Sequence, residues 1–85
     1  MKPLLDVLII LDALEKEGSF AAASAKLYKT PSALSYTVHR LESDLNIQIL
    51  DRSGHRARFT RTGQMLLEKG REVLHTVREL EKQAI

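Results

Sequence analysis

The sequence predicts a mainly α-helical chain: four helices, interrupted once after the third by a two-stranded β ribbon. Three observations carry that expectation. Apolar residues recur at steps of three and four through most of the 85 residues. The one stretch with strand-like character is split by the turn dipeptide Ser53-Gly54. Each helical run begins or ends on a residue suited to cap it. A chain of this length forms a single small domain with a thin core, and it contains no cysteine. Disulfides and thiolate metal sites are therefore excluded, and a second subunit becomes the expected source of extra stability.

The first helix is expected over Pro3 to Glu17, with Leu4, Val7, Leu8, Leu11 and Leu14 on one face. Leu5, Ile9 and Ile10 widen its apolar surface, so it needs more than one packing partner. Gly18 stops it and Ser19 caps the next helix, Phe20 to Leu27, whose alanines allow close helix approach. Tyr28 and Lys29 form a tight connection. Thr30 then caps a third helix running to Leu45, with Pro31 at its first position, where a missing N–H costs nothing. Leu34, Val38, Leu41 and Leu45 make a narrow apolar stripe on it. Ser32, Tyr36, His39 and Ser43 lie on the opposite face, flanked by Ser35 and Arg40, with no acidic residue through three turns. A short helix, a tight turn and a second helix with a polar outer face form the helix-turn-helix arrangement.

Asn46 is a suitable terminator, after which Ile47, Ile49 and Leu50 begin an extended run. Ala57 to Thr60 reads as the returning strand, with Phe59 turned inward. The ribbon carries Arg52, His55, Arg56 and Arg58 at its tip and sides, which makes it a wing beside the helix-turn-helix. Thr60 caps a final helix from Arg61 to Ile85. Leu66, Gly70, Val73, Val77, Leu80 and Ala84 alternate steps of four and three there, a heptad seam suited to pairing with a second copy, with Leu67 and Leu74 on its flank. The alternative is that this helix folds back on the apolar first helix; an isologous dimer can use both.

Net charge is only +2, but it is unevenly spread. Residues 1–50 hold five Lys/Arg against six Asp/Glu, whereas 51–61 hold four arginines against Asp51. Lys26 to Arg40 contains three bases and no acid. Positive charge thus collects at the third helix and at the wing, the pattern left by a polyanion-binding surface. On this reading Lys29 and Arg40 contact phosphates, serine hydroxyls at 32 and 35 bond phosphates or base edges, and Tyr36 offers its ring to a thymine methyl or its hydroxyl to a phosphate. The competing reading is a solvated helix face, with Arg52 and Arg58 protecting a ribbon edge. His39, His55 and His75 fall on separate elements without ligand spacing, and no residue beside Ser35 and His39 completes a catalytic set. Neither an enzyme nor a metal or cofactor is expected.

Gly18-Ser19-Phe20, Ala22-Ala23, Leu27, Ser32-Ala33-Leu34-Ser35, Leu41-Glu42, Leu50, Arg52, Thr60 and Gly63 together resemble the N-terminal DNA-binding region of LysR-type transcriptional regulators. The resemblance implies a winged helix-turn-helix over 1–60, followed by a linker helix over 61–85 through which two subunits pair. It also implies double-stranded DNA as partner, on an interrupted inverted repeat, with helix 30–45 in the major groove and wing 51–60 at the minor groove. Carried across by motif position, contacts fall at Thr30, Pro31, Ser32, Ser35 and Tyr36, and in the wing at His55 or Arg56. Many relatives have Gln where this chain has Pro31, Arg in place of Tyr36, and Arg in place of His55, which changes the base-reading set. The family's larger effector-binding domain is not within these residues, so a small-molecule effector would act only through it, and a full-length parent could assemble further, to a tetramer. The apolar N-terminal stretch is broken by Asp6 and Asp12 and reads neither as a secretory signal nor as a membrane span. A cytoplasmic, nucleoid-associated protein is expected.

Overall fold

The computed structural model describes residues 3–54 and 56–85. In chain order it contains α1 (Leu4–Glu17), α2 (Phe20–Leu27), α3 (Pro31–Leu45), β1 (Leu50–Asp51), β2 (Arg58–Phe59) and α4 (Arg61–Ala84). The helix boundaries follow local chemistry. Gly18 ends α1 at a positive φ of 89°, where its N–H reaches the Leu14 carbonyl. The Ser19, Thr30 and Thr60 hydroxyls accept from the N–H groups of Ala22, Ala33 and Gly63 respectively, capping α2, α3 and α4. Asn46 closes α3 in the left-handed conformation, with the Ile47 N–H returning to the Glu42 carbonyl.

The core is built from the inward faces of α1 and α3 together with the chain that follows α3. Val7, Leu11, Leu34, Val38, Leu41, Ile49 and Leu50 are the largest fully buried side chains. Each such burial contributes about 1.5–3 kcal/mol. Buried Ala23 brings α2 close to α1 and α3, giving the helix-turn-helix its compactness. α1 touches all three other helices and buries Val7, Leu8, Ile10, Leu11 and Leu14, whereas Leu4, expected on its core face, and Leu5 and Ile9, expected to need a further partner, remain exposed.

Three details differ from the sequence expectation. The wing strands are two residues each, with Leu50 opposite Phe59 and Asp51 opposite Arg58, because Ile49 is drawn into the core and Ala57 stays outside the pairing. Leu45 is 39% exposed and leaves the α3 stripe, while Glu42 is buried instead. The third correction concerns α4. Its buried residues are Gly63, which lies against Ile49, and Leu67, Gly70 and Leu74, the side of the helix that meets α1 of the same chain. Gly70 therefore faces inward: a β-carbon there would meet Leu8 Cδ2 at 2.6 Å. Leu66 and Val77 are half-buried, and Val73, Leu80 and Ala84 are exposed. At about 100° per residue, the exposed stripe lies directly beside the buried one. The heptad seam is thus two adjacent stripes, and the inner one is occupied by α1.

Candidate nucleic-acid interface

The residues expected to read a duplex begin at the α2–α3 turn. Tyr28 ends α2 at φ 57°, in the left-handed region, and its side chain is 96% exposed. Lys29 and Thr30 follow, both exposed. The Thr30 hydroxyl is held by its cap bond at 3.1 Å and lies 3.3 Å from the Ser32 hydroxyl. Cap and neighbouring hydroxyl thereby form one polar corner at the N-terminal end of α3, where unpaired N–H groups and the helix dipole favour an anion. Pro31, Ser32, Tyr36, His39 and Arg40 are exposed on α3, and Ser35 is half-buried. The inward positions Leu34, Val38 and Leu41 fix the rotation of the helix, so the outer face follows from the packing.

In the wing, Arg56 and Arg58 are exposed. They border a groove of 1020 Å³ between the ribbon and the α1–α2 corner, beside Phe20 and Ser19. His55 lies outside the described residues. Among the described residues Lys29, Arg40, Arg56 and Arg58 enter no ion pair within 4 Å, though Arg58 lies opposite Asp51 in the ribbon and its charge helps to lower the pKa of that carboxylate. Arg52 is different. It turns inward, its Nη1 donating to Glu42 Oε1 at 3.2 Å, and its side chain is only 29% exposed. Its Nε and Nη2 are buried with no hydrogen-bond partner among the described residues. Arg52, expected among the DNA-contacting residues of the wing, thus has its guanidinium engaged with Glu42 inside the fold rather than held out in solvent.

Glu42 is the residue that pattern reading missed. Its only sign in the sequence is the Leu41-Glu42 pair carried by the family resemblance. Burial disfavours its charge, but the N–H groups of Ile49 (2.7 Å) and Leu50 (3.1 Å), and then the Arg52 guanidinium, hold the carboxyl below its usual range. His39 Nδ1 lies 3.3 Å from the same Oε1 that Arg52 contacts. The outer face of α3 and the root of the wing therefore meet at one carboxylate. Among the described residues no group of three metal-ligating side chains occurs.

Comparison with known proteins points the same way. A family model described as bacterial regulatory helix-turn-helix protein, lysR family, matches residues 5–64. The chain is 94% identical over 85 residues, all of its length, to the uncharacterized HTH-type transcriptional regulator YeeY of Escherichia coli K12, of which that match covers 28%. It is 50% identical over 76 residues to the probable HTH-type transcriptional regulator YhaJ of the same strain, covering 89% of this chain and 26% of YhaJ. The chain thus spans about a quarter of the length of these relatives. Among solved structures, the BenM DNA-binding domain bound to catB site 1 DNA superposes with a TM-score of 0.84 at 28% identity, covering 92% of this chain and 84% of that one. The CbnR DNA-binding domain in its DNA complex gives 0.82 at 25% identity, with coverages of 94% and 92%.

Proposed function

Since the chain belongs to the lysR family of bacterial regulatory helix-turn-helix proteins, we propose that it is the DNA-reading part of a transcription regulator, a sequence-specific binder of double-stranded DNA. One observation carries the reading furthest: an exposed, acid-free α3 face with Lys29 and Arg40 outside any ion pair, accompanied by a wing with exposed Arg56 at its tip and exposed Arg58 on its side. The DNA complexes formed by the structurally similar BenM and CbnR domains support it.

In this reading α3 enters the major groove. Thr30, Pro31, Ser32, Ser35 and Tyr36 approach base edges, while Lys29, His39 and Arg40 take phosphates. Arg56, with Arg58 beside it, reaches the adjacent minor groove. Two copies bind together, joined through the exposed α4 stripe of Val73, Leu80 and Ala84 with half-buried Leu66 and Val77, and place their α3 helices about 34 Å or a multiple apart. Such a dimer implies an inverted, interrupted target, and the protein acts in the bacterial cytoplasm, where that target lies.

Selection from a random duplex pool with this chain, at moderate salt, tests the proposal. Enrichment of two short half-sites in inverted orientation is the expected result. Retention without enrichment would reduce the function to non-specific duplex binding. No retention at low salt would overturn the DNA reading in favour of a helical protein-interaction module.

A further inference from the structure

We propose that Glu42 is a positioning residue for duplex recognition: its carboxylate braces the root of the wing against the recognition helix and fixes where Arg56 meets the DNA. The inference rests on the DNA-binding reading above and adds a role that neither the exposed α3 face nor the wing arginines supply.

The geometry behind it is a problem of leverage. A ribbon with two paired residues per strand has little stiffness of its own. Burial of Ile49 and Leu50 sets how deeply its root sits, but apolar contact is non-directional and leaves the ribbon free to pivot. Direction comes from hydrogen bonds. Glu42 Oε2 receives the Ile49 and Leu50 N–H groups, and Oε1 receives Arg52, so one α3 side chain grips three positions entering the wing. On the return side the Thr60 hydroxyl donates to the Gln48 carbonyl at 2.6 Å, and the Thr60 N–H donates to the Ile49 carbonyl at 3.1 Å. The segment 48–52 is thus held from α3 and from the start of α4 at once. His39 of the outer α3 face shares Glu42 Oε1 with Arg52, so the DNA-facing side and the wing root are a single carboxylate apart. A carboxylate that merely satisfied two N–H groups would need no such link to both surfaces.

The test is a double-mutant cycle on a labelled 30-bp duplex recovered from the random-pool selection, using Glu42→Gln and Arg56→Ala. Gln is nearly isosteric and retains one oxygen acceptor but loses the charge that holds Arg52. Alone, Arg56→Ala should weaken binding about five- to tenfold and lower the salt slope by about one. Glu42→Gln should do the same with Arg56 still present. In the Glu42→Gln background, Arg56→Ala should then cost no more than about twofold, since both changes remove one contact. Thermal melts give the folded fraction by which each affinity is corrected. Should Glu42→Gln fail to fold, Arg52→Met keeps both backbone bonds to Glu42 and cuts the side tie, and it should show the same loss of additivity with Arg56→Ala. Glu42→Gln or Arg52→Met lowering stability while Arg56→Ala keeps its full effect on that background would overturn the proposal and leave Glu42 a purely structural residue. Failure of the unmodified chain to bind the duplex would remove the DNA reading and this role together, whereas unmodified binding with full additivity would remove this role alone.

Discussion

At the start of α4 the backbone of Gly63 lies against the carbonyl oxygen of Ile49, with no room for a methyl group between them. That carbonyl cannot retreat, because it already accepts from the Thr60 N–H. Gly63→Ala should therefore destabilise the chain by roughly 2–3 kcal/mol despite the ~1 kcal/mol helix-propensity gain. Gly70→Ala meets only the end of the Leu8 side chain, which can rotate, and should fall within about 1 kcal/mol of the parent. At about 4–8 °C per kcal/mol for a domain of this size, thermal melts resolve the difference. Equal losses at the two glycines would contradict the assignment of Ile49 as an immovable neighbour.

Tyr28 holds a left-handed backbone conformation while its side chain is almost wholly in solvent. Nothing in the packing compensates for a strain of about 1–2 kcal/mol. Tyr28→Gly should raise the melting temperature, by the equivalent of up to about 1 kcal/mol once the greater flexibility of glycine in the unfolded chain is subtracted. A lower melting temperature would mean that the ring makes a stabilising contact in solution.

The two buried carboxylates give stability a defined pH dependence. Burial opposes the charge of Glu42, but the bonds from Ile49, Leu50 and Arg52 prevail, and at Asp12 the bonds from Arg71 and Lys16 likewise outweigh burial. Both groups hold protons less tightly when folded than when unfolded, so as pH falls the unfolded chain takes up protons first. Their contribution is complete above their usual values of 4.5 for Glu and 3.8 for Asp, and it drains away below them. Chemical denaturation at pH 7, 4.5 and 3 should show a plateau and then a decline. Glu42→Gln should flatten part of that decline, and a stability that rises on acidification would refute the argument.

Base reading and phosphate anchoring should separate cleanly. Tyr36→Ala is expected to broaden the sequences retained in a selection, because a ring that touches a base discriminates. Arg58→Ala is expected to weaken all duplexes alike, about threefold, and to lower the slope of log affinity against log salt by about one. Unchanged sequence preference for the Tyr36 variant would move that side chain from the bases to the phosphates.

The two stripes of α4 predict opposite phenotypes. Leu80→Lys, on the exposed stripe, should shift sedimentation toward a monomer with the helix fold intact. Leu74→Ala, on the buried stripe against α1, should cost about 2–4 kcal/mol of folding stability. A dimer unaffected by Leu80→Lys would place the subunit contact elsewhere.

These contrasts show which features a sequence makes legible. Ser19, Thr30 and Thr60 are readable as caps because a cap bond spans three residues and needs nothing distant. The outer α3 face is readable because Leu34, Val38 and Leu41 fix its opposite. Glu42 was not, since its burial depends on backbone N–H groups seven and eight residues onward, delivered only once the chain has turned back. Arg52 reads as a surface cation for the same reason. On α4, both Leu66 with Val73 and Leu67 with Leu74 satisfy a heptad, and only the position of α1 decides which pair is buried.

The bond from Arg71 Nε to Asp12 Oδ1, 2.9 Å long, has a mechanical meaning. Together with buried Leu67, Gly70 and Leu74 it holds α4 to α1; in the last ten residues of the helix no side chain is fully buried, and Val77 and Glu79 are half-buried. α1 in turn touches both α2 and α3, so α4 and the helix-turn-helix rest on one shared helix.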